Sequence, residues 1–400
     1  MAKPRIFINM TYMELGGAER ALLGLLNALD TERVEVDLFI NQHTGDFMKL
    51  IPEKINLLPE NKSYSMIRRP IVEAIKKGKW RITFARLFAR YKYKRDVSKR
   101  HLEGCSNHYT MNQVIKHLPS LHDLGEYDLA LSFIDPSHII HDKVLAKKRL
   151  EWLHTDFSVF NMDEECIAKT WARDDYIVDL SHDMADRFKE KYPRFAHKVI
   201  VIENILSPET VRNEAARGDA PEMENCGGAI KILTIGRICY AKYFERIPDI
   251  VAILKQQGLK PKWFIVGPGD PSSILQHATD LGVDGCISFV GKKDNPYPYI
   301  KACDLYVQPS RREGKSVTVR EAQILCKPVI ITRYPTSGSQ VIDGVDGIIC
   351  DMDNESVAKA IIDLHNDESK KYQMIEYLSS HDYGNESEVD KLYELIASTI

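Results

Sequence analysis

Pro309-Ser-Arg-Arg-Glu-Gly-Lys-Ser-Val-Thr-Val-Arg-Glu-Ala322 directly follows Asp304-Leu-Tyr-Val-Gln308, a short run of strand character. From Ser316 to Cys326 there is no Gly or Pro, and apolar side chains recur at helical intervals, so the segment reads as strand, loop, helix. Glu313 then stands beside a helix N-terminus, whose amides at about Ser316 and Val317 are expected to be free for an anion such as a diphosphate. Glu321, eight positions further on, falls on the Val317/Ile324/Leu325 side of that helix. A carboxylate on a partly closed surface needs donors, and the vicinal hydroxyls of a ribose supply two. The competing reading is a solvated glutamate in a residue type that favours helices.

The same alternation runs through the chain. Arg5–Met10 is a short apolar run, followed by Glu14-Leu-Gly-Gly-Ala-Glu-Arg20 and then by apolar positions 18, 21, 22, 25, 26 and 29: strand, glycine loop, amphipathic helix. Further strands are expected at 34–40, 127–133, 149–153, 176–181 and 199–203. After a Glu-, Asn- and Gly-rich stretch at 207–228, more follow at 229–236, 263–267, 286–291, 304–308, 328–332 and 347–350. Strands separated by helices imply parallel, doubly wound sheets. Four hundred residues exceed one ordinary core. Three parts are therefore expected: a first Rossmann-like domain at 1–206, a second at 207–383, and a C-terminal helix at 384–400 packing back on the first through Val389, Leu392, Tyr393 and Ile396.

Composition excludes some partners. Lys plus Arg (54) nearly balances Asp plus Glu (57), a net charge of −3 that gives no reason to expect nucleic acid. The eight cysteines include no Cys-x-x-Cys pair, which suits a reducing cytoplasm. No run of about 18 apolar residues occurs and the chain starts in a strand pattern, so the protein is expected to be neither exported nor membrane-spanning. Charge is concentrated in one place: residues 66–100 hold thirteen Lys or Arg and two acids, Glu73 and Asp96. Trp80, Phe84, Leu87, Phe88 and Tyr91 share a helical stripe there, with Arg81, Arg86 and Arg90 on other faces. That pattern suits an anionic membrane surface contacted by Trp80, Arg81, Phe84, Phe88 and Arg90. The alternative is a stripe packed on its own domain.

Candidate site residues should follow strands, because doubly wound sheets bind ligands at strand C-terminal ends. Gly236-Arg237 ends one strand and Lys242 follows five residues later; together the two cations can clamp a diphosphate and stabilise charge on a leaving nucleotide. Two ordinary surface cations are the alternative. Gly16-Gly17 lets backbone approach a ligand, or simply makes a tight turn. His154, after Leu150-Glu-Trp-Leu153, can bond a sugar hydroxyl or be satisfied by backbone. His154 and Asp156 alone are too few for a metal site.

Together, Gly16-Gly17-Ala18-Glu19-Arg20, His154, Gly236-Arg237 with Lys242, and Glu313 with Glu321 resemble the retaining glycosyltransferases of family four, of GT-B fold. Glu203-Asn204, Phe289-Val290-Gly291, Lys327-Pro328-Val329-Ile330 and Asp346-Gly347-Ile348-Ile349 fall where that family has similar phrases. The resemblance implies transfer of a sugar from a nucleotide diphosphate donor, UDP- or GDP-linked, to an acceptor held by the first domain. It assigns Arg237 and Lys242 to the diphosphate, Glu321 to the ribose and Glu313 to the donor sugar. Backbone near Lys315, Ser316 and Val317 completes the phosphate site, Gly17 approaches it, Val290 meets the base and His154 contacts the sugar. Retention in the family is explained by the leaving phosphate helping to deprotonate the acceptor, without metal or other cofactor. Two departures stand out: Gly314-Lys315-Ser316 where many relatives have Gly-Phe-Gly, and Tyr243 where they have Gly after the lysine.

The expected protein is thus an α/β, GT-B, metal-independent glycosyltransferase acting on a lipid-linked or polysaccharide acceptor, as in capsule or cell-surface glycan assembly. It is expected in the cytoplasm, possible as a peripheral protein of the membrane's inner face. A nucleotide-sugar 2-epimerase of the same fold and a non-catalytic sugar-nucleotide-binding protein are the alternatives.

Overall fold

A computed structural model describes residues 3–14 and 16–398. The chain divides into two compact units: one of residues 1–14, 22–205 and 386–400, the other of residues 15–21 and 206–385.

The first unit is built on seven parallel strands: β1 (Arg5–Met10), β2 (Glu35–Ile40), β3 (Asn56–Leu57), β4 (Glu126–Phe133), β5 (Leu145–Trp152), β6 (Tyr176–Asp179) and β7 (Val199–Val201). They lie in the order β3-β2-β1-β4-β5-β6-β7, so the winding direction reverses between β1 and β4. The central strands are apolar and buried, as a sheet covered by helices on both faces requires. Strand β5 starts earlier than its apolar core suggests, because Lys147 and Lys148 find partners there: Lys147 pairs with Asp128 at 2.7 Å and Lys148 donates to the Leu395 carbonyl at 2.9 Å. The latter belongs to the C-terminal helix Asp390–Ala397, which buries Leu392, Tyr393 and Ile396 and bonds the Asp30 amide through the Tyr393 hydroxyl.

Beneath the ends of β4 and β5 lies a buried polar network. The Ser137 hydroxyl donates to Glu151 at 2.7 Å and reaches Asp174 at 2.9 Å; Trp171 Nε1 bonds the other Glu151 oxygen, and His141 Nε2 lies 2.8 Å from Asp174. Burial, and then the neighbouring Asp174, push the Glu151 carboxyl well above the ordinary range.

The basic segment forms the helix Trp80–Arg100. It packs Ile82, Ala85 and Ala89 inward, while Trp80, Phe84, Leu87, Phe88 and Tyr91 are exposed, so the aromatic stripe is not part of this unit's core.

The second unit repeats the architecture with six parallel strands: β8 (Ile230–Ile235), β9 (Pro261–Val266), β10 (Ile287–Gly291), β11 (Leu305–Gln308), β12 (Val329–Thr332) and β13 (Ile348–Cys350), in the order β10-β9-β8-β11-β12-β13. Winding reverses between β8 and β11. Its core is continuous from Ile232 and Trp263 to Val319 and Ile361, and the one polar atom of the Trp263 ring is satisfied by Thr234 at 2.9 Å. All eight cysteines are free thiols.

Candidate functional site

Adjacent parallel strands whose connections leave in opposite directions open a crevice at their C-terminal ends. In the second unit those strands are β8 and β11, and the loops leaving them carry Gly236 to Tyr243 and Pro309 to Ser316. The crevice therefore collects Arg237, Lys242, Glu313 and Lys315 from two distant parts of the sequence. Backbones meet closely here: a Cβ on Gly267, after β9, would stand 2.0 Å from the Gly236 carbonyl oxygen, and one on Gly236 would press on Lys242 at 3.2 Å.

Lys242 Nζ lies 2.7 Å from Glu313 Oε1. The same oxygen accepts from Gln308 Nε2 at 2.9 Å and from Ser310 Oγ at 2.5 Å, and the Glu313 carbonyl accepts from Thr336 at 2.9 Å. The carboxylate is thus held rigidly by donors from β11 and its loop. Arg237 is exposed and has no ion-pair partner among the described residues, so its guanidinium is available to an anion. Lys315 is half-buried in the same loop. Arg311 braces the loop after β8: its side chain donates to the Tyr240 carbonyl at 2.9 Å and stacks 3.1 Å from the centre of the Tyr243 ring.

The helix after this loop is Val317–Ile324, with Ser316 as its N-cap and no side-chain cap bond. One expectation needs correction. The Ser316 amide is not free: it donates to Gln340 Oε1 at 2.9 Å, and the Gln340 amide returns a bond to the Ser316 carbonyl. Gln340, buried and also bonded by Tyr334 at 3.1 Å, clamps the loop. Sequence spacing could not reveal this, because Gln340 lies 24 residues away. The contribution of Ser316 to an anion site is then limited to its hydroxyl, and the amides of the first turn begin at Val317.

Glu321 is fully buried, not solvated. Its Oε1 accepts from the Tyr297 hydroxyl at 2.9 Å and lies 3.5 Å from Arg20 Nε, while Arg20 Nη1 donates to the same hydroxyl at 2.7 Å. Its Oε2 has no partner. Burial raises the carboxyl's pKa, opposed by the Arg20 charge and the Tyr297 bond; a guanidinium this close favours the ionised form. Arg20 comes from the glycine segment at 16–21, which groups with this unit. In that segment Gly17 begins the helix Gly17–Ala28 with open space around its Cα, and Glu19 folds back over Gly16. Arg20 stood in the quoted motif without a role; Tyr297, in Pro-Tyr-Pro-Tyr299, carried no signal.

Strand β10 adds backbone. Phe289 pairs with Ile265 and Gly291 with Val266, so Val290 is an extra residue in the ladder. Such a bulge leaves its peptide groups unpaired for other partners.

His154 lies in the first unit, after β5, with its ring 4.2 Å from that of Phe133. The residue is half-buried with its Nε2 enclosed and unpartnered, and desolvation holds its pKa down at about 3, so the imidazole is neutral. At the winding reversal of that unit, Thr11 after β1, Asn41 after β2 and Asp135 after β4 line a small polar pocket with Arg68, Asn107 and Thr110. Asp135 bonds Thr11 and Arg68, the latter at 3.2 Å. No part of this pocket was singled out from sequence.

Known proteins resemble this chain in sequence and in fold. Residues 222–380 match the family described as glycosyl transferases group 1. The lipopolysaccharide core biosynthesis glycosyltransferase LpsE of Rhizobium meliloti is 26% identical over 200 residues, 48% of this chain and 57% of that protein, so the match spans little more than half of it. An uncharacterized glycosyltransferase of Haemophilus influenzae is 22% identical over 96% of this chain and 97% of its own length. Among solved structures, HepE of Anabaena in complex with UDP and glucose superposes with a TM-score of 0.70 at 15% identity, covering 99% of this chain and 100% of that one. Sucrose-phosphate synthase of Thermosynechococcus elongatus does so with a TM-score of 0.64, also at 15% identity, over 99% of each chain. Residues 222–380 are thus similar to the group 1 glycosyl transferases, and the two doubly wound units share the GT-B fold of these solved structures.

Proposed function

We propose that the protein transfers a sugar, with retention of anomeric configuration, from a nucleotide diphosphate donor to a lipid-linked or polysaccharide acceptor in cell-surface glycan synthesis. The observation that carries this reading is the β8/β11 crevice, where Arg237, the Lys242–Glu313 pair and a helix N-terminus converge. Arg237, Lys242 and the first-turn amides from Val317 neutralise a diphosphate and the charge that develops on it as the glycosidic bond breaks. Glu313, immobilised by three donors, orients the sugar hydroxyls. The unpartnered Glu321 Oε2 accepts from a ribose hydroxyl, and the Val290 bulge offers peptide groups to the base. His154, in the first unit and neutral at physiological pH, can donate to or accept from a sugar hydroxyl. With cations and amides taking the diphosphate charge, turnover proceeds without a divalent metal.

A UDP-linked donor is favoured by the fold's likeness to HepE, which was crystallised with UDP and with UDP-glucose. A cell-surface glycan product is favoured by the names of the relatives LpsE and AmsD, the latter an amylovoran biosynthesis glycosyltransferase of Erwinia amylovora. The polar pocket of the first unit, with Asp135, Arg68 and Asn41, has the hydrogen-bonding side chains that a sugar acceptor requires.

The test is nucleotide release from a panel of nucleotide sugars, with and without lipid-linked acceptors. Acceptor-dependent release of UDP or GDP supports transfer. Epimerised donor without release would establish the epimerase, and binding without turnover a non-catalytic protein. Arg237→Ala and Glu321→Ala should each weaken nucleotide binding; unchanged affinity in both refutes the donor site.

A further inference from the structure

We infer that the outward face of the helix Trp80–Arg100 docks the protein on an anionic lipid bilayer. At 3.6 residues per turn, positions 82, 85, 89 and 96 fall together, and they are the buried ones apart from Thr83, which lies off that face and bonds the Lys79 carbonyl. Positions 80, 84, 87, 88 and 91 fall on the opposite side, and they are the exposed ones: Trp80 is 52% exposed, Phe84 65%, Phe88 55% and Tyr91 64%. The helix thus has two apolar faces and only one is used by the fold. A contiguous aromatic face left in water is unfavourable and marks a surface that something covers. Val72, 62% exposed on the short preceding helix Ile71–Lys76, is a further apolar side chain left in water in the same basic segment.

Charge identifies the occupant. Arg81 and Lys99 flank the aromatic face on one margin, Arg90 and Lys94 on the other, all exposed and without an acidic partner among the described residues. Both acids of the segment are already neutralised: Glu73 by Arg69 and Lys77, and the buried Asp96 by Arg95. Neither acid of the segment therefore offsets the cations on that surface. Aromatic rings in a cationic margin match the boundary between acyl chains and acidic headgroups, where amphipathic rings insert and Lys or Arg gather phosphates. A protein partner would need an acidic rim around an apolar groove; a second copy of this chain would set cation against cation.

The full-length protein is tested by flotation with vesicles of phosphatidylcholine alone and of phosphatidylcholine mixed with phosphatidylglycerol. Flotation is expected only with the acidic lipid and should weaken with salt. Arg81→Ala, Arg90→Ala and Lys94→Ala should each weaken it by roughly fivefold, and Trp80→Ser with Phe84→Ser and Phe88→Ser should abolish it with the charge intact. Indifference to lipid charge, or flotation that survives loss of the rings, overturns the inference. So does a concentration-dependent dimer in lipid-free solution that Phe84→Ser dissolves, because the face would then belong to a second copy. Heat of UDP or GDP binding measured on the same variants keeps the two readings apart. It should be unchanged by the surface substitutions, and its absence in the unaltered protein would refute the donor site while leaving flotation intact.

Discussion

Tyr243 holds a backbone conformation, φ 56°, that glycine adopts freely and a bulky side chain adopts at a cost of about 1 kcal/mol. Its ring lies under the Arg311 guanidinium and 4.8 Å from Arg246, contacts worth a comparable amount. Strain and stacking therefore nearly cancel, and what the tyrosine adds is a fixed path for the loop that carries Lys242. Tyr243→Gly should change unfolding free energy by no more than about 1 kcal/mol and raise KM for the donor severalfold; an unchanged KM would remove the loop-bracing role. Glu321 has two separable parts. Glu321→Ala removes the carboxylate facing the mostly buried Arg20 and should cost about 3 kcal/mol in denaturant unfolding. Glu321→Gln keeps the shape and should lose less stability while nucleotide affinity, read by calorimetry, falls about tenfold. Equal effects of the two substitutions on affinity and stability would mean that Glu321 serves the fold alone.

A single helix start, Val317–Ile324, depends on a residue outside it. Gln340→Ala leaves the Ser316 amide unpaired in a buried setting and should cost about 1–3 kcal/mol, with a matching rise in donor KM if the loop relaxes. Under strands β4 and β5 the buried Glu151 gives a pH dependence of definite sign. Its folded pKa lies above the unfolded value of 4.5, so between the two the folded state holds the extra proton. Stability from this group is then present below the unfolded value and falls as pH rises through the folded one, by at most about 1.4 kcal/mol per pH unit. Glu151→Gln should reduce the drop in Tm between pH 6 and pH 8; a drop as steep as in the unaltered protein would acquit this carboxyl. The histidines 108, 138 and 141 act in the opposite sense, since burial lowers each to about 3 and stability from them is lost as pH falls below about 6.5.

Across the whole molecule, donor binding should protect the second unit selectively. With UDP at one hundred times its Kd, the loops 236–243 and 310–317 should slow in hydrogen exchange by an amount corresponding to about 2.7 kcal/mol, while the Thr11 and Asp135 pocket changes little. Turnover should be unaffected by EDTA, and loss of activity restored by magnesium would show a metal requirement. Both doubly wound sheets were legible in the sequence because buried parallel strands leave apolar runs and the helices between them leave apolar periods. The exception, Asn56–Leu57, is too short to leave either. Arg237, Lys242 and Glu313 were legible for a related reason: each follows such a run by a few residues, and strand ends are where these folds bind ligands. Chain order could not say that Gln340 occupies the Ser316 amide, that Tyr297 and Arg20 share Glu321, or that the aromatic stripe of residues 80–91 faces solvent. Those facts depend on which of two faces a helix turns inward and on side chains tens to hundreds of residues apart. Packing of the whole chain decides both, and no local pattern of residue types encodes them.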